Sequence, residues 1–359
     1  MSRGPRQRTT IRLEVSRLRA AVIVAAIVSA TVVASGGARN SPNSTGLIAF
    51  SAPRAPAASH IYVIKADGTG RRQLISGATS ESCPAWSPDG KRIAASVRTG
   101  RSWIEVIGLS GQRMWRIAAT GCPAWSPDGS QLAFVRETGP EAGALYVVGA
   151  NGRGSRKLAD GDADLRGRPA WSPDGKEIAY KSICDRGFDP KCGLAITVLR
   201  VDGTDRRLLP VKPDTTWCTA DCHLYASDMT WAPGKEIAVL MVCCDLYPEK
   251  LYSVRPDGSG QWLLSGKLKD VYTPAWSPDG SRIAFRNEDP PPKATWVANA
   301  DASGLRRIRR EVFDPAWSPD GRQLACSGDD GGIYIVNADR GAARLLVRHG
   351  SNPAWQPNR

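Results

Sequence analysis

The chain of 359 residues carries 36 glycines, 26 prolines, 42% hydrophobic and 23% charged residues. So many turn formers disfavour long helices, while the apolar fraction sustains a core and argues against disorder and against a multi-span membrane protein. The formal net charge is +13, the nine cysteines are an odd number, and twelve tryptophans stand against five phenylalanines. That aromatic bias points to a recurring packing position.

Residues 1–38 read as an address. Arg3, Arg6, Arg8, Arg12, Arg17 and Arg19 precede an uncharged stretch over 20–34, and Ser35-Gly36-Gly37-Ala38 supplies the small residues a signal peptidase accepts. This is the order of a secretory signal peptide, with an uncleaved membrane anchor as the alternative, since 15 residues fall short of a comfortable span. No cysteine follows for a lipid anchor. Losing six arginines and Glu14 lowers the net charge from +13 to +8. Residues 39–44 form a linker, and an exported protein of the periplasm, envelope or extracellular space is expected.

From residue 45 to 359 the sequence repeats. Pro-Ala-Trp-Ser-Pro-Asp-Gly occurs around Trp86, Trp125, Trp171, Trp276 and Trp317, with a degenerate copy at Thr230-Trp231-Ala232-Pro233-Gly234 and a last one at Pro353-Ala354-Trp355. The tryptophans are 39, 46, 60, 45, 41 and 38 residues apart, the length of a four-stranded propeller blade. Pro-Asp-Gly is a turn, so each motif strand is followed by a second strand such as Arg92-Ile93-Ala94-Ala95 or Arg282-Ile283-Ala284-Phe285. Third runs such as Ile61-Tyr62-Val63-Ile64, a second turn such as Asp67-Gly68, and fourth runs such as Gln261-Trp262-Leu263-Leu264 complete the unit. Gly46 to Phe50 is a second strand lacking a first, and Ser351 to Pro357 a first strand lacking a second. Their pairing predicts an all-β, seven-bladed propeller whose ring the C-terminal strand closes, removing exposed edges.

The signature Pro-Ala-Trp-Ser-Pro-Asp-Gly-x-x-Ile-Ala resembles the WD-like repeats of TolB-like bacterial envelope proteins, over nearly all of residues 45–359. The resemblance implies a propeller that binds other envelope proteins. Related blades also form the non-catalytic part of prolyl-oligopeptidase-type peptidases and occur in polysaccharide lyases.

In such a blade, turns 1–2 and 3–4 share one face, while loops 2–3 and the blade connections share the other. The insertions, largest in the 60-residue spacing, fall on this loop face, where recognition is expected. Counting blades from Trp86, the candidate surface lies on blades 3 and 4: Phe188, Asp189, Trp217, Asp221, His223, Leu224, Tyr225, Asp245 and Tyr247. Cysteines follow the same geography. Cys184, Cys192, Cys218, Cys222, Cys243 and Cys244 map to neighbouring loops, and Cys83 and Cys122 occupy equivalent positions before Pro-Ala-Trp in adjacent blades. In an exported protein these read as disulfide formers of open connectivity, foremost Cys184 with Cys192, and Cys326 is left as the free thiol.

Candidate chemistry is thin. No Gly-x-Ser-x-Gly elbow is present, and the three histidines, His60, His223 and His349, read as exposed loop residues from separate blades. Asp160, Asp162 and Asp164 suggest a calcium loop in a blade connection but lack its downstream glutamate, leaving solvated turn carboxylates. Cysteine and histidine spacing around Cys218 and His223 is not that of a zinc site. No cofactor is expected. Basic residues are dispersed, which argues against nucleic acid and leaves an anionic glycan or polymer as a secondary partner. The reading is a monomeric, non-catalytic scaffold for an envelope protein, with a metal-dependent, carbohydrate-active envelope enzyme as the alternative.

Overall fold

The computed structural model describes residues 46–55, 58–75, 80–139, 142–164, 167–183, 194–209, 224–234, 236–243, 249–257 and 259–357. Among these, every regular element is a strand. Blade 1 comprises Ser80–Trp86, Arg92–Thr99, Arg101–Gly108 and Arg113–Ala118; blade 2 comprises Thr120–Trp125, Gln131–Glu137, Ala142–Gly149 and Arg156–Asp164. Blade 3 comprises Ala170–Trp171, Glu177–Ile183, Leu194–Arg200 and Arg207–Leu208, and blade 4 Leu224–Trp231, Ile237–Cys243, Lys250–Val254 and Gln261–Leu263. Blade 5 runs from Lys269–Trp276 to Arg306–Arg310, and blade 6 from Val312–Trp317 to Ala343–Val347. Blade 7 joins Ser351–Trp355 to Leu47–Ala55, Ala58–Lys65 and Arg72–Gln73. Its closing register, Ile48 with Trp355 and Ala49 with Ala354, is the pairing expected from the two incomplete chain ends.

The first strands of successive blades lie side by side around the ring, the last against the first. The repeated Ile-Ala pair explains how blades pack. Along a strand, successive side chains face opposite sides, so Ile93 packs toward blade 7 and Ala94 toward blade 2, where it meets Trp125. Ala284 meets Trp317 and Ala325 meets Trp355 in the same way. Alanine is the side chain small enough to leave the indole its place. Four seams are also stitched by a hydrogen bond: Trp86 Nε1 donates to Ala354 O, Trp125 to Ala85 O, Trp171 to Ala124 O and Trp317 to Ala275 O, at 2.8–3.1 Å, whereas the buried Nε1 of Trp276 and of Trp355 has no hydrogen-bond partner. In these four the acceptor is the alanine of the preceding motif. The tryptophans are packing residues between blades.

The motif turn is also a hydrogen-bonded unit. Ser87, Ser126, Ser172, Ser277 and Ser318 donate through Oγ to the aspartate two residues on, at 2.5–2.7 Å. The aspartate accepts a backbone N–H beyond the turn, as at Lys91 and Ser281, and the glycine takes the positive φ that closes it, +64° at Gly90 and +70° at Gly280. The Ser126 and Ser277 hydroxyls hold Asp128 and Asp279 below the ordinary carboxylate range, Asp279 at about 2. At Asp89 partial burial opposes the shift, and the Ser87 and Lys91 bonds outweigh it.

A carboxyl depressed on folding stabilises above its unfolded pKa, and that contribution is lost as pH falls through the folded value. The Asp279 contribution should therefore fade between 3.8 and about 2. Asp279→Asn is expected to cost about 0.5–1 kcal/mol at neutral pH, screening having been allowed for, and nothing near the acid limit. Urea midpoints measured across that range check it.

Two expectations need correction. Asp160, Asp162 and Asp164 lie not in a connection but in the outer strand Arg156–Asp164, where Lys157 Nζ bonds Asp160 at 2.6 Å and Ala163 pairs with Ser182 of blade 3. The strand runs past the expected turn because that pairing extends it. His60 is not a loop residue but lies within the strand Ala58–Lys65, 1% exposed. His349 is exposed, as read.

Candidate functional site

The loop-face end of the first strands is built by a repeated irregularity. The residue before the motif proline has positive φ in four blades, at Cys83 (52°), Thr273 (49°), Asp314 (51°) and Asn352 (51°). The strand register breaks at the same place, between Ser82 and Ala85, Tyr272 and Ala275, and Phe313 and Ala316. Such a bulge re-aims the side chain beside it. At two neighbouring bulges the re-aimed residues are cysteines, and Cys83 is bridged to Cys122, with Cα atoms 5.5 Å apart. The bond ties the first strands of blades 1 and 2 together. Replacing Cys83 with Ser is expected to cost about 3–4 kcal/mol through the freed unfolded chain, read as a lowered urea midpoint that reductant reproduces in the parent protein. Among the described residues Cys326 is a free, buried thiol; burial pushes it up to about 12, with Thr295 Oγ1 donating to it at 3.9 Å.

The expected surface on blades 3 and 4 is only partly covered. Leu224 and Tyr225 open the first strand of blade 4, paired in register with Cys243 and Val242 of the second. Phe188, Asp189, Trp217, Asp221, His223, Asp245, Tyr247, Cys184, Cys192, Cys218, Cys222 and Cys244 lie outside the described residues.

A second cluster stands at the blade 5–6 seam of the same face. Arg286, in the second strand of blade 5, is cross-strand neighbour to Tyr272. Its guanidinium lies 5.3 Å from the Tyr272 ring centroid and 4.9 Å from that of Phe313, on the first strand of blade 6. It also contacts the Glu288 carboxylate and lies 3.8 Å from Asp314 Oδ1. Lys293, in the connection to the third strand, sits 5.3 Å over Phe313 and 3.6 Å from Glu288. Burial raises the Asp314 carboxyl above its ordinary value, and Arg286 opposes that rise. Half-buried aromatic rings interleaved with an arginine match the composition of protein-interface hot spots. Sequence reasoning missed this cluster. The available signal was Arg286 itself, which occupies a strand position held by Ser51, Ser96, Val135, Lys181, Leu240 and Ser327 in the other blades.

At the blade 7–1 seam, His60 Nδ1 faces Glu81 Oε1 at 3.5 Å, and Glu81 Oε2 accepts the Ile61 backbone N–H at 3.0 Å. Both side chains are buried, so this pair works between blades and has no open access to substrate. Among the described residues, no group of three or more His, Cys, Asp or Glu is placed to hold a metal ion.

A family model described as WD domain, G-beta repeat matches residues 308–337, from the outer strand of blade 5 through the third strand of blade 6. No curated protein sequence matches the chain. TolB from Acinetobacter baumannii is similar at TM-score 0.55 and 19% identity, over 87% of this chain and 67% of that one. An oligogalacturonate lyase in complex with manganese is similar at TM-score 0.62 and 12% identity, over 84% and 85%. A puromycin hydrolase is similar at TM-score 0.61 and 15% identity, over 85% of this chain and 52% of that one, so the chain spans about half of the hydrolase. At these identities the likeness is one of fold: the chain is a β-propeller, similar in fold to TolB and with a WD-repeat match over residues 308–337.

Proposed function

We propose that this TolB-like, WD-like propeller is an exported, non-catalytic scaffold that binds another protein of the cell envelope through its loop face. The observation carrying the proposal is the Tyr272, Arg286, Phe313 and Lys293 cluster, which puts stacked cations and aromatic rings on the face that also bears the longest insertions. Turns on the opposite face are short and hydrogen-bonded within themselves, so they vary little from blade to blade. The proposal includes Phe188, Trp217, Leu224 and Tyr225, the contact residues expected from the sequence of blades 3 and 4, and an anionic glycan is a secondary ligand for the basic chain. The rival, a metal-dependent carbohydrate-active enzyme, has His60 withdrawn from it by burial against Glu81. Stoichiometric metal in the purified protein, lost in His223→Ala, would favour that rival.

The double variant Phe313→Ala, Lys293→Glu is expected to lower partner recovery from crosslinked envelopes at least ~10-fold, since interface aromatic and basic anchors each contribute about 1–2 kcal/mol. Lys91→Ala, exposed on the turn face, should leave recovery unchanged. Equal losses in both variants would refute the assignment of the face.

A further inference from the structure

The outer edge of blade 5 concentrates positive charge that the fold does not neutralise. Its last strand, Arg306–Arg310, reads Arg-Arg-Ile-Arg-Arg and ends a four-stranded sheet, so its outward backbone groups have no strand beside them. Ile308 is buried in the core between blades 5 and 6, while Arg307, Arg309 and Arg310 are exposed. Among the described residues Arg306 alone of the four arginines has a carboxylate partner, Asp339 at 3.4 Å, which it shares with Arg282. By contrast, Arg113 and Arg207 on the outer strands of blades 1 and 3 are neutralised, the first by Glu105 and the second by Glu177 and Asp205.

The register sets the spacing of these charges. Arg307 lies opposite Trp296, Arg309 opposite Thr295 and Arg310 opposite Ala294, with Ile308 as the extra residue of a bulge. Trp296 packs against the core shared with blade 4, and Thr295 Oγ1 donates to Val312 O of blade 6. Residues directly opposite in a ladder share a face, so Arg307 and Arg310 stand on the blade 4 side and Arg309 on the blade 6 side. The bulge thus gives Arg307 and Arg310 the separation of alternate residues in a regular strand, about 7 Å. The Arg307 guanidinium is steadied by the Trp296 ring, 5.9 Å from its centroid.

We infer that this edge takes an extended acidic segment of another protein as a further strand, with its backbone paired to Arg306–Arg310 and two carboxylates at alternate positions meeting Arg307 and Arg310. In strand addition the main chain supplies affinity and alternate side chains supply specificity. Opposite charges directly across a ladder stabilise it and like charges oppose it, which also excludes a second copy of this strand as the occupant. Arg307 and Arg310 lie outside the Tyr272, Arg286, Phe313 and Lys293 cluster, so this site stands or falls independently of the loop-face reading.

Calorimetric titration of the purified full chain at low salt uses a capped Thr-Glu-Val-Glu-Val-Thr peptide. A glutamine-for-glutamate counterpart removes the charge, and a copy N-methylated at alternate residues keeps the charge and loses the backbone donors of one edge. The acidic peptide is expected to bind with a Kd of about 1 mM or tighter, at least ~10-fold more tightly than either control. Arg307→Gln with Arg310→Gln should weaken it at least ~10-fold, and Arg310→Gln alone ~3-fold. Arg310 is exposed, so the single variant decides if the double one fails to fold. Equal binding of the N-methylated peptide would leave a charge attraction without strand pairing and overturn the inference. Equal binding of the neutral peptide, unchanged affinity in Arg310→Gln, or no binding at about 10 mM would each overturn it as well.

Discussion

Deleting residues 351–359 should abolish the cooperative unfolding transition. The segment supplies the first strand of blade 7, pairing Trp355 with Ile48 and Ser351 with Ser51. It also supplies Ala354 O, the acceptor for Trp86, and Gln356, which bonds Leu47 through both its N–H and its Oε1 and reaches Gly90 O. Without it the strand Leu47–Ala55 becomes an open edge, and the core around Ile48, Phe50, Ile333 and Ile335 loses Trp355. Burial of one tryptophan is worth about 3–5 kcal/mol, and a native domain has only about 5–15 kcal/mol in all. The expected result is a broad, non-cooperative urea profile by tryptophan fluorescence and association on gel filtration through the exposed edge. Adding the nine-residue peptide in trans should partly restore the transition, which a merely misfolded truncation would not allow.

Trp125→Ala is expected to destabilise by about 3–5 kcal/mol, near the upper end for a single core replacement. The indole is buried at the blade 1–2 seam among Ala94, Ile104, Leu132 and Phe134, its Nε1 bonds Ala85 O at 3.1 Å, and Arg92 stacks on it. Trp125→Phe keeps most of the apolar area and leaves Ala85 O without that donor, so about 1–2 kcal/mol is expected. Urea midpoints at constant slope separate the packing contribution from the hydrogen bond. Equal costs for the two variants would place the whole effect in the hydrogen bond and contradict a packing role.

Much of this architecture was readable from spacing. The tryptophan period, the two incomplete chain ends and the Ser-Pro-Asp-Gly turns are local in sequence, and the structure assembles them as their chemistry requires. What escaped reading depends on neighbours distant in the chain. The Cys83–Cys122 pair was open because its partner choice follows from first strands lying side by side at the axis, with a bulge at each cysteine or near it. His60 was misread as a loop residue because the apolar run begins at Ile61, whereas pairing with the Leu47–Ala55 strand carries the third run back to Ala58. Buried Glu81, from the next blade, then gives His60 a polar partner that no local pattern announces. Arg286 escaped for a similar reason: its significance comes from Phe313 and Asp314 across the seam.

The loop-face assignment is tested most directly by photo-crosslinking in whole cells, with a photoreactive residue placed in turn at Phe313, Phe188 and Leu224 on that face and at Lys91 on the turn face. The account predicts a discrete protein adduct of the same mass from the three loop-face sites and none from Lys91. Adducts from Lys91 alone, or no discrete adduct from any loop-face site, would contradict it.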